Sequence, residues 1–160
     1  MKDSSRRFVR GMEYGAIATL AMSLVMFLDY VIGASPLKVP LPLAIVTGVL
    51  MRSVGMRVVE PGVVIAAIPI FFAYGALWMG FAVWSTDRMR WWKGLVVGLG
   101  LWLLMMIFYL PIAVTSSFEI VTKPSTWIGT LIGHAVYGIV GGVLADDKLR
   151  HHRAEPYPAL

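Results

Sequence analysis

Four stretches of this chain are each about as long and apolar as a bilayer crossing requires, roughly 20 residues, and no other feature limits its fold as much. They cover residues 12–32, 63–84, 94–114 and 127–145. Within hydrocarbon every backbone amide must bond inside its own segment, so each stretch is predicted to be a helix. Pro69 and Pro111 fall inside or near the ends of the second and third stretches, where membrane bundles tolerate a kink. Composition closes the alternatives. Apolar residues make up 58% of the 160 and charged residues 14%, against roughly 45–50% and about 25% in soluble domains. A core of this size cannot hide that much apolar surface from water, which excludes a soluble globular domain and a disordered chain. The expectation is an all-α integral-membrane four-helix bundle over residues 1–160, with a basic N-terminus at 1–11 and a basic tail at 146–160.

Direction follows from the basic residues. Lys2, Arg6, Arg7, Arg10, Arg88, Arg90, Lys93, Lys148, Arg150 and Arg153 fall on one side of the four spans. Only Lys38, Arg52, Arg57 and Lys123 fall on the other. The positive-inside rule then places both termini in the cytoplasm of a cell whose plasma (inner) membrane holds the protein. Trp84, Trp91 and Trp92 mark the inner edge; Tyr30, Tyr109 and Trp127 mark the outer edge. The net charge of +5 would suggest nucleic acid only if it clustered on a folded face, and here it flanks apolar runs. Cysteine is absent, which removes disulfides and thiolate chemistry. Ser5-Arg6-Arg7-Phe8-Val9 is a near miss to a twin-arginine signal. The apolar run that follows is too long for a signal peptide, so an uncleaved cytoplasmic anchor is expected.

Residues 36–55 read PLKVPLPLAIVTGVLMRSVG. Their apolar part is too short to span, and three prolines delay any helix until about Pro42. A short interfacial or re-entrant helix in the first outer loop is expected there.

The two halves look alike. Span one opens Arg10-Gly11-Met12-Glu13-Tyr14-Gly15 and span three opens Lys93-Gly94-Leu95-Val96-Val97-Gly98, both [R/K]-G-x-x-x-G. Span two carries Tyr74-Gly75 with Gly80 downstream; span four carries Tyr137-Gly138 with Gly141 and Gly142. Matching spans run the same way, which predicts two helix hairpins related as a parallel repeat. Gly11/Gly15, Gly94/Gly98, Gly129/Gly133 and Gly138/Gly142 share the i,i+4 spacing that lets membrane helices approach closely. Span four, richest in glycine, is expected to lie centrally.

Residues 11–27 (GMEYGAIATLAMSLVMF), the segment PLKVPLPLAIVTGVL and residues 134–142 (HAVYGIVGG) resemble an uncharacterised group of four-span prokaryotic inner-membrane proteins, domain-of-unknown-function proteins similar to the YagU type. The resemblance covers roughly residues 8–145. It implies the four-span architecture and brings no established activity. Members often carry a histidine ahead of the Tyr-Gly or glycine-rich run in both even-numbered spans. This chain has His134 in span four but Phe71 at the corresponding place in span two, which weakens a two-histidine cofactor site.

An ionisable residue within a span is a functional-site hypothesis by default. His134 is the deepest and the one candidate for cofactor binding, as a haem ligand with Met22, Met26, Met105 or Met106, or as a proton carrier. Against that, methionines at helical spacing are usually core filler, and no chain of ionisable groups crosses the bilayer with His134. The plainer expectation is a neutral imidazole that hydrogen-bonds across the bundle, near Tyr137. Asp29, with Lys38 and Arg52, could form a polar site at the outer interface, or simply cap at headgroup level. Glu13 is expected to pair with Arg10 or Lys93. The tail around His151-His152 suits anionic lipid better than metal, which would need more ligands. No Walker-type loop, H-E-x-x-H or G-x-S-x-G is present, and Ser23, Ser116 and Ser117 have no histidine nearby in sequence. No catalytic, metal or resident cofactor site is therefore expected.

Three functions fit. The first is a non-catalytic accessory or structural subunit of a multi-subunit membrane complex, for which a respiratory electron-transfer assembly would be a suitable host. The second is a small homo-oligomeric transporter or channel; the third is a haem- or quinone-binding protein using His134. The expected partners are the lipid bilayer and other membrane-protein subunits, not nucleic acid.

Overall fold

A computed structural model of the chain describes residues 2–33, 61–109 and 123–154, with Val46 and Gly48 as isolated positions. The described residues form four helices and no strand: α1 (Lys2–Val31), α2 (Pro61–Ser85), α3 (Trp91–Leu104, continuing as a π-helical turn Met105–Tyr109) and α4 (Pro124–Ala154). All four contain a stretch long and apolar enough to cross a membrane: Ser4–Val31, Ile65–Ser85, Trp91–Tyr109 and Pro124–Asp146. The expected interfacial helix at 36–55, Lys38, Arg52 and Pro111 lie outside the described residues, apart from Val46 and Gly48, which are helical.

The surface is that of a membrane protein. Leu28, Ile65, Phe81, Val96, Ile107 and Ile128 are all exposed, while Thr19, Thr126, Thr130 and His134 are buried. The core runs along the bundle axis through Tyr14, Ala18, Met22, Met26, Met79, Val83, Leu101 and Tyr137. Pro69 sits within α2 on an exposed face, so the carbonyl it leaves unpaired lies away from the core.

The helices pack in the order α2, α1, α4, α3. α1 lies along α2 and α4, α4 lies along α3, and α2 and α3 meet only marginally. The centre is thus shared by α1 and α4. Glycine explains the two hairpin seams. A Cβ on Gly11 would come within 2.8 Å of the Gly80 Cα, and one on Gly15 within 2.6 Å of the Gly75 carbonyl oxygen. In the second hairpin a Cβ on Gly94 would come within 2.6 Å of the Gly142 Cα, and one on Gly98 within 3.0 Å of the Gly138 Cα. The two [R/K]-G-x-x-x-G motifs therefore do the same work at equivalent heights. Gly129 and Gly133 face α1 instead, against Asp29 and against Met22 and Met26.

Two boundaries differ from the expectation. The basic N-terminus is already helical from Lys2, and α4 continues through the first part of the basic tail to Ala154. Neither segment contains proline or glycine before Gly11 or after Gly142, so nothing stops the backbone ladder where hydrophobicity ends. At the other end of α1, Gly33 closes the chain in a left-handed conformation, φ 74°, as a C-terminal glycine commonly does.

Candidate functional site: the polar face of the fourth helix

Thr126, Thr130, His134 and Tyr137 follow one another at spacings of four, four and three, and so lie on one face of α4. That face turns into the bundle, and all four side chains are buried. The Thr130 hydroxyl donates to the Thr126 carbonyl at 2.6 Å and accepts from the Trp102 indole N–H at 3.0 Å. Trp102 stands edge-on to Trp127, with ring centroids 5.8 Å apart. His134 Nδ1 lies 2.9 Å from the Thr130 carbonyl. A carbonyl only accepts, so Nδ1 carries the proton and a neutral ring keeps its lone pair on Nε2. The Tyr137 hydroxyl reaches across to the Gly75 carbonyl of α2 at 2.6 Å. On α1, Thr19 donates to the Gly15 carbonyl at 2.7 Å and Ser23 to the Thr19 carbonyl at 2.8 Å. The Thr126 hydroxyl has no partner among the described residues.

This corrects the expectation for His134. Its bond stays within α4, one turn back, and does not cross the bundle. The crossing bond belongs to Tyr137. A threonine or histidine in a helix finds the carbonyl four residues earlier without moving the backbone, whereas a tyrosine is long enough to reach a neighbouring helix where glycines bring it close.

The methionines named as alternative ligands are all buried. Met22 and Met26 pack on Gly133, and Met106 places its sulfur 3.9 Å from the Thr130 hydroxyl. Met105 and Met106 belong to the π-helical turn. The extra residue in that turn changes the helical phase, so two consecutive side chains face inward and Tyr109 meets the ring of Tyr74, centroids 5.7 Å apart. No sequence signal marked that turn. Among the described residues no group of three histidine, aspartate or glutamate side chains could hold a metal ion. Asp29 is half-buried with a carboxylate oxygen 3.0 Å from where a Gly129 Cβ would stand, and Lys38 and Arg52 lie outside the described residues. Glu13 is exposed, and Lys93 turns to the Arg88 carbonyl at 2.9 Å with its ammonium 5.7 Å from the Trp92 ring.

Sequence reasoning also missed Arg7. Its Nη2 donates to the carbonyls of Val83, at 3.1 Å, and of Thr86, so a cation closes the C-terminus of α2. A positive charge there complements the helix dipole and satisfies carbonyls that have no helical donor. The pairing of the R-G-x-x-x-G motif with the end of span two was the signal that could have revealed it.

The fold and its exposed apolar surface define a multi-pass, all-helical membrane protein. Residues 5–155 match a family of unknown function (DUF6789), and the chain belongs to that family. The match agrees with the resemblance to an uncharacterised family and does not extend to the YagU type. Nothing matches the chain among curated proteins or among solved structures.

Proposed function

We propose that the protein is a non-catalytic structural subunit that packs against other membrane-protein subunits in the plasma (inner) membrane of a prokaryotic cell. The observation that carries this reading is Gly100. It lies on the exposed face of α3 beside Val96 and Leu103, and a Cβ built on it meets nothing within 4 Å among the described residues. The glycines on the helix seams meet a neighbouring helix closely. Glycine weakens a helix by roughly 1 kcal/mol against alanine, and close approach of another helix is the usual return in a membrane. The polar face of α4 supports the same reading, because Thr130, His134, Tyr137 and Trp102 each bond to a group of the bundle itself. The basic residues support cytoplasmic termini.

Purification from native membranes with mass spectrometry tests the proposal. A stoichiometric set of larger subunits is expected, and Gly100→Leu should strip them while leaving the chain folded. A homo-oligomer alone would favour the transporter reading, and a Soret band lost in His134→Leu would favour the haem reading. Cysteine at Ser4 should resist an impermeant thiol reagent added outside intact cells; ready labelling would reverse the topology.

A further inference from the structure

The hairpin repeat puts Arg7 and Arg90 in equivalent places, each four residues before the first glycine of its motif. Their surroundings differ. α2 ends at Ser85, so its last carbonyls lie open and Arg7 binds them. α4 runs on past Ala145 to Ala154, its carbonyls continuing into further helix, and offers Arg90 no such end. Arg90 instead begins α3 as an exposed residue in extended conformation, making no side-chain cap, and no acid occupies the first turn. Arg88 beside it is exposed as well, and so is Arg6 on the neighbouring hairpin. Trp84, Trp91 and Trp92, which flank the turn in sequence, stand exposed, the residue type that settles at a membrane–water interface. Lys93 is held over Trp92 with its ammonium turned to the Arg88 carbonyl, so the α2–α3 turn carries Arg88, Arg90 and Lys93 against a single acid, Asp87. The opposite end of the bundle presents, among the described residues, only Lys123 as a basic group.

We propose that the turn between α2 and α3 is a headgroup site for anionic phospholipid, in which Arg88 and Arg90 contact the phosphate and the indoles of Trp91 and Trp92 seat the glycerol and upper acyl region. Charge complementarity selects the lipid class. Basic groups beside a membrane attract acidic lipid strongly enough that two of them change occupancy by about ten-fold or more, and the tryptophan belt fixes the depth at which phosphate meets guanidinium. A second protein would need acidic groups at headgroup level, which a bilayer containing acidic lipid supplies throughout.

The test uses the full chain purified in detergent, with phosphatidylglycerol or phosphatidylcholine added at equal concentration and retained lipid counted by native mass spectrometry. Phosphatidylglycerol should be retained about ten-fold better. Arg88→Gln with Arg90→Gln should bring the two lipids within about two-fold, Arg88→Lys with Arg90→Lys should keep most of the preference, and Lys123→Gln should change nothing. Raising salt on the unaltered protein should erode the preference, which keeps the test decisive if the glutamine pair fails to fold. Equal retention of both lipids overturns the proposal. So does a preference untouched by the glutamine pair. Displacement of phosphatidylglycerol by soluble glycerol phosphate would show a free-phosphate site instead and would also overturn it.

Discussion

The two hairpins share one packing rule and differ in what that rule presses together. Glycine meets glycine in both, but in the α3–α4 hairpin the glycine on the second helix also faces backbone: a Cβ on Gly138 would come within 2.8 Å of the Leu95 Cα and 2.9 Å of the Gly94 carbonyl carbon. In the α1–α2 hairpin the α1 glycines also press on backbone, a Cβ on Gly15 coming within 2.6 Å of the Gly75 carbonyl oxygen, but Gly80 of α2 meets side chains first: the Met12 Cγ at 2.9 Å, a Phe8 ring carbon at 3.1 Å and then the Phe8 carbonyl oxygen at 3.2 Å. Backbone cannot yield and side chains can. The second hairpin is thus the stiffer one at its α4 glycine Gly138, and it also holds the polar face of α4. The first is adjustable at its α2 glycine Gly80 and is closed by Arg7 at the end of α2. A repeat therefore fixes where two helices touch and leaves the stiffness of each seam to the residues around the glycines.

The largest effect should come from breaking that difference directly. Gly138→Ala forces a methyl into backbone and should cost about 2–3 kcal/mol, the upper part of the range for overpacked interiors. Gly80→Ala, which needs the Met12 and Phe8 side chains to shift and the Phe8 carbonyl to give only slightly, should cost about 1 kcal/mol. Unfolding of the two variants in mixed micelles, read by helical circular dichroism, measures both. Equal losses would mean that the two seams are equally stiff.

A smaller effect is expected where the hairpins are joined. Tyr137→Phe removes the hydroxyl that bonds Gly75 and leaves the ring in place. Hydrogen bonds between membrane helices average about 0.6 kcal/mol and reach about 1.7, and the 2.6 Å length of this one places it in the upper part of that span. Thr19→Val, which removes a bond within α1 only, should cost less in the same assay. A larger loss at Thr19 would show that the joint lies elsewhere.

Arg7 offers a comparison between equivalent positions. Arg7→Gln should lower stability by about 0.5–1 kcal/mol, since a cation at a helix C-terminus contributes about that much. Arg90→Gln should change stability little, because α4 presents no open carbonyls there. Thermal unfolding at low salt separates the two, and matching shifts would remove the distinction between the hairpin ends.

Most of this architecture was legible in the sequence. Apolar length set the four spans, and the motif around Gly11/Gly15 and Gly94/Gly98 set the hairpins, because both depend on residue type at fixed spacing. Three features were not legible. The helical extensions at Lys2–Arg10 and beyond Ala145 have no apolar signal to read, only an absence of breakers. The π-helical turn at Met105–Tyr109 is a local change of phase in an otherwise uniform apolar run, which no periodicity reveals. The polar face of α4 was hidden because Thr126 and Thr130 are ordinary residues in a membrane helix until burial shows them aligned with His134 and Tyr137.

His134 should produce the smallest effect of all, and for a reason that the comparison with Tyr137 supplies. The tyrosine joins two helices, so its loss frees them from one another. The imidazole bonds to Thr130 of its own helix, and that carbonyl already serves the α4 ladder. His134→Gln keeps a donor of similar reach and should alter stability by less than about 0.5 kcal/mol, below the average for bonds between membrane helices. His134→Leu removes the donor, adds apolar volume and should stay within about 1 kcal/mol, since Thr130 retains its helical partner. Neither change should affect the turnover of a host complex that still assembles. If His134→Gln instead abolished turnover, transport or a haem spectrum with the complex intact, the lone pair on Nε2 would be the working group and the structural role of His134 would be rejected.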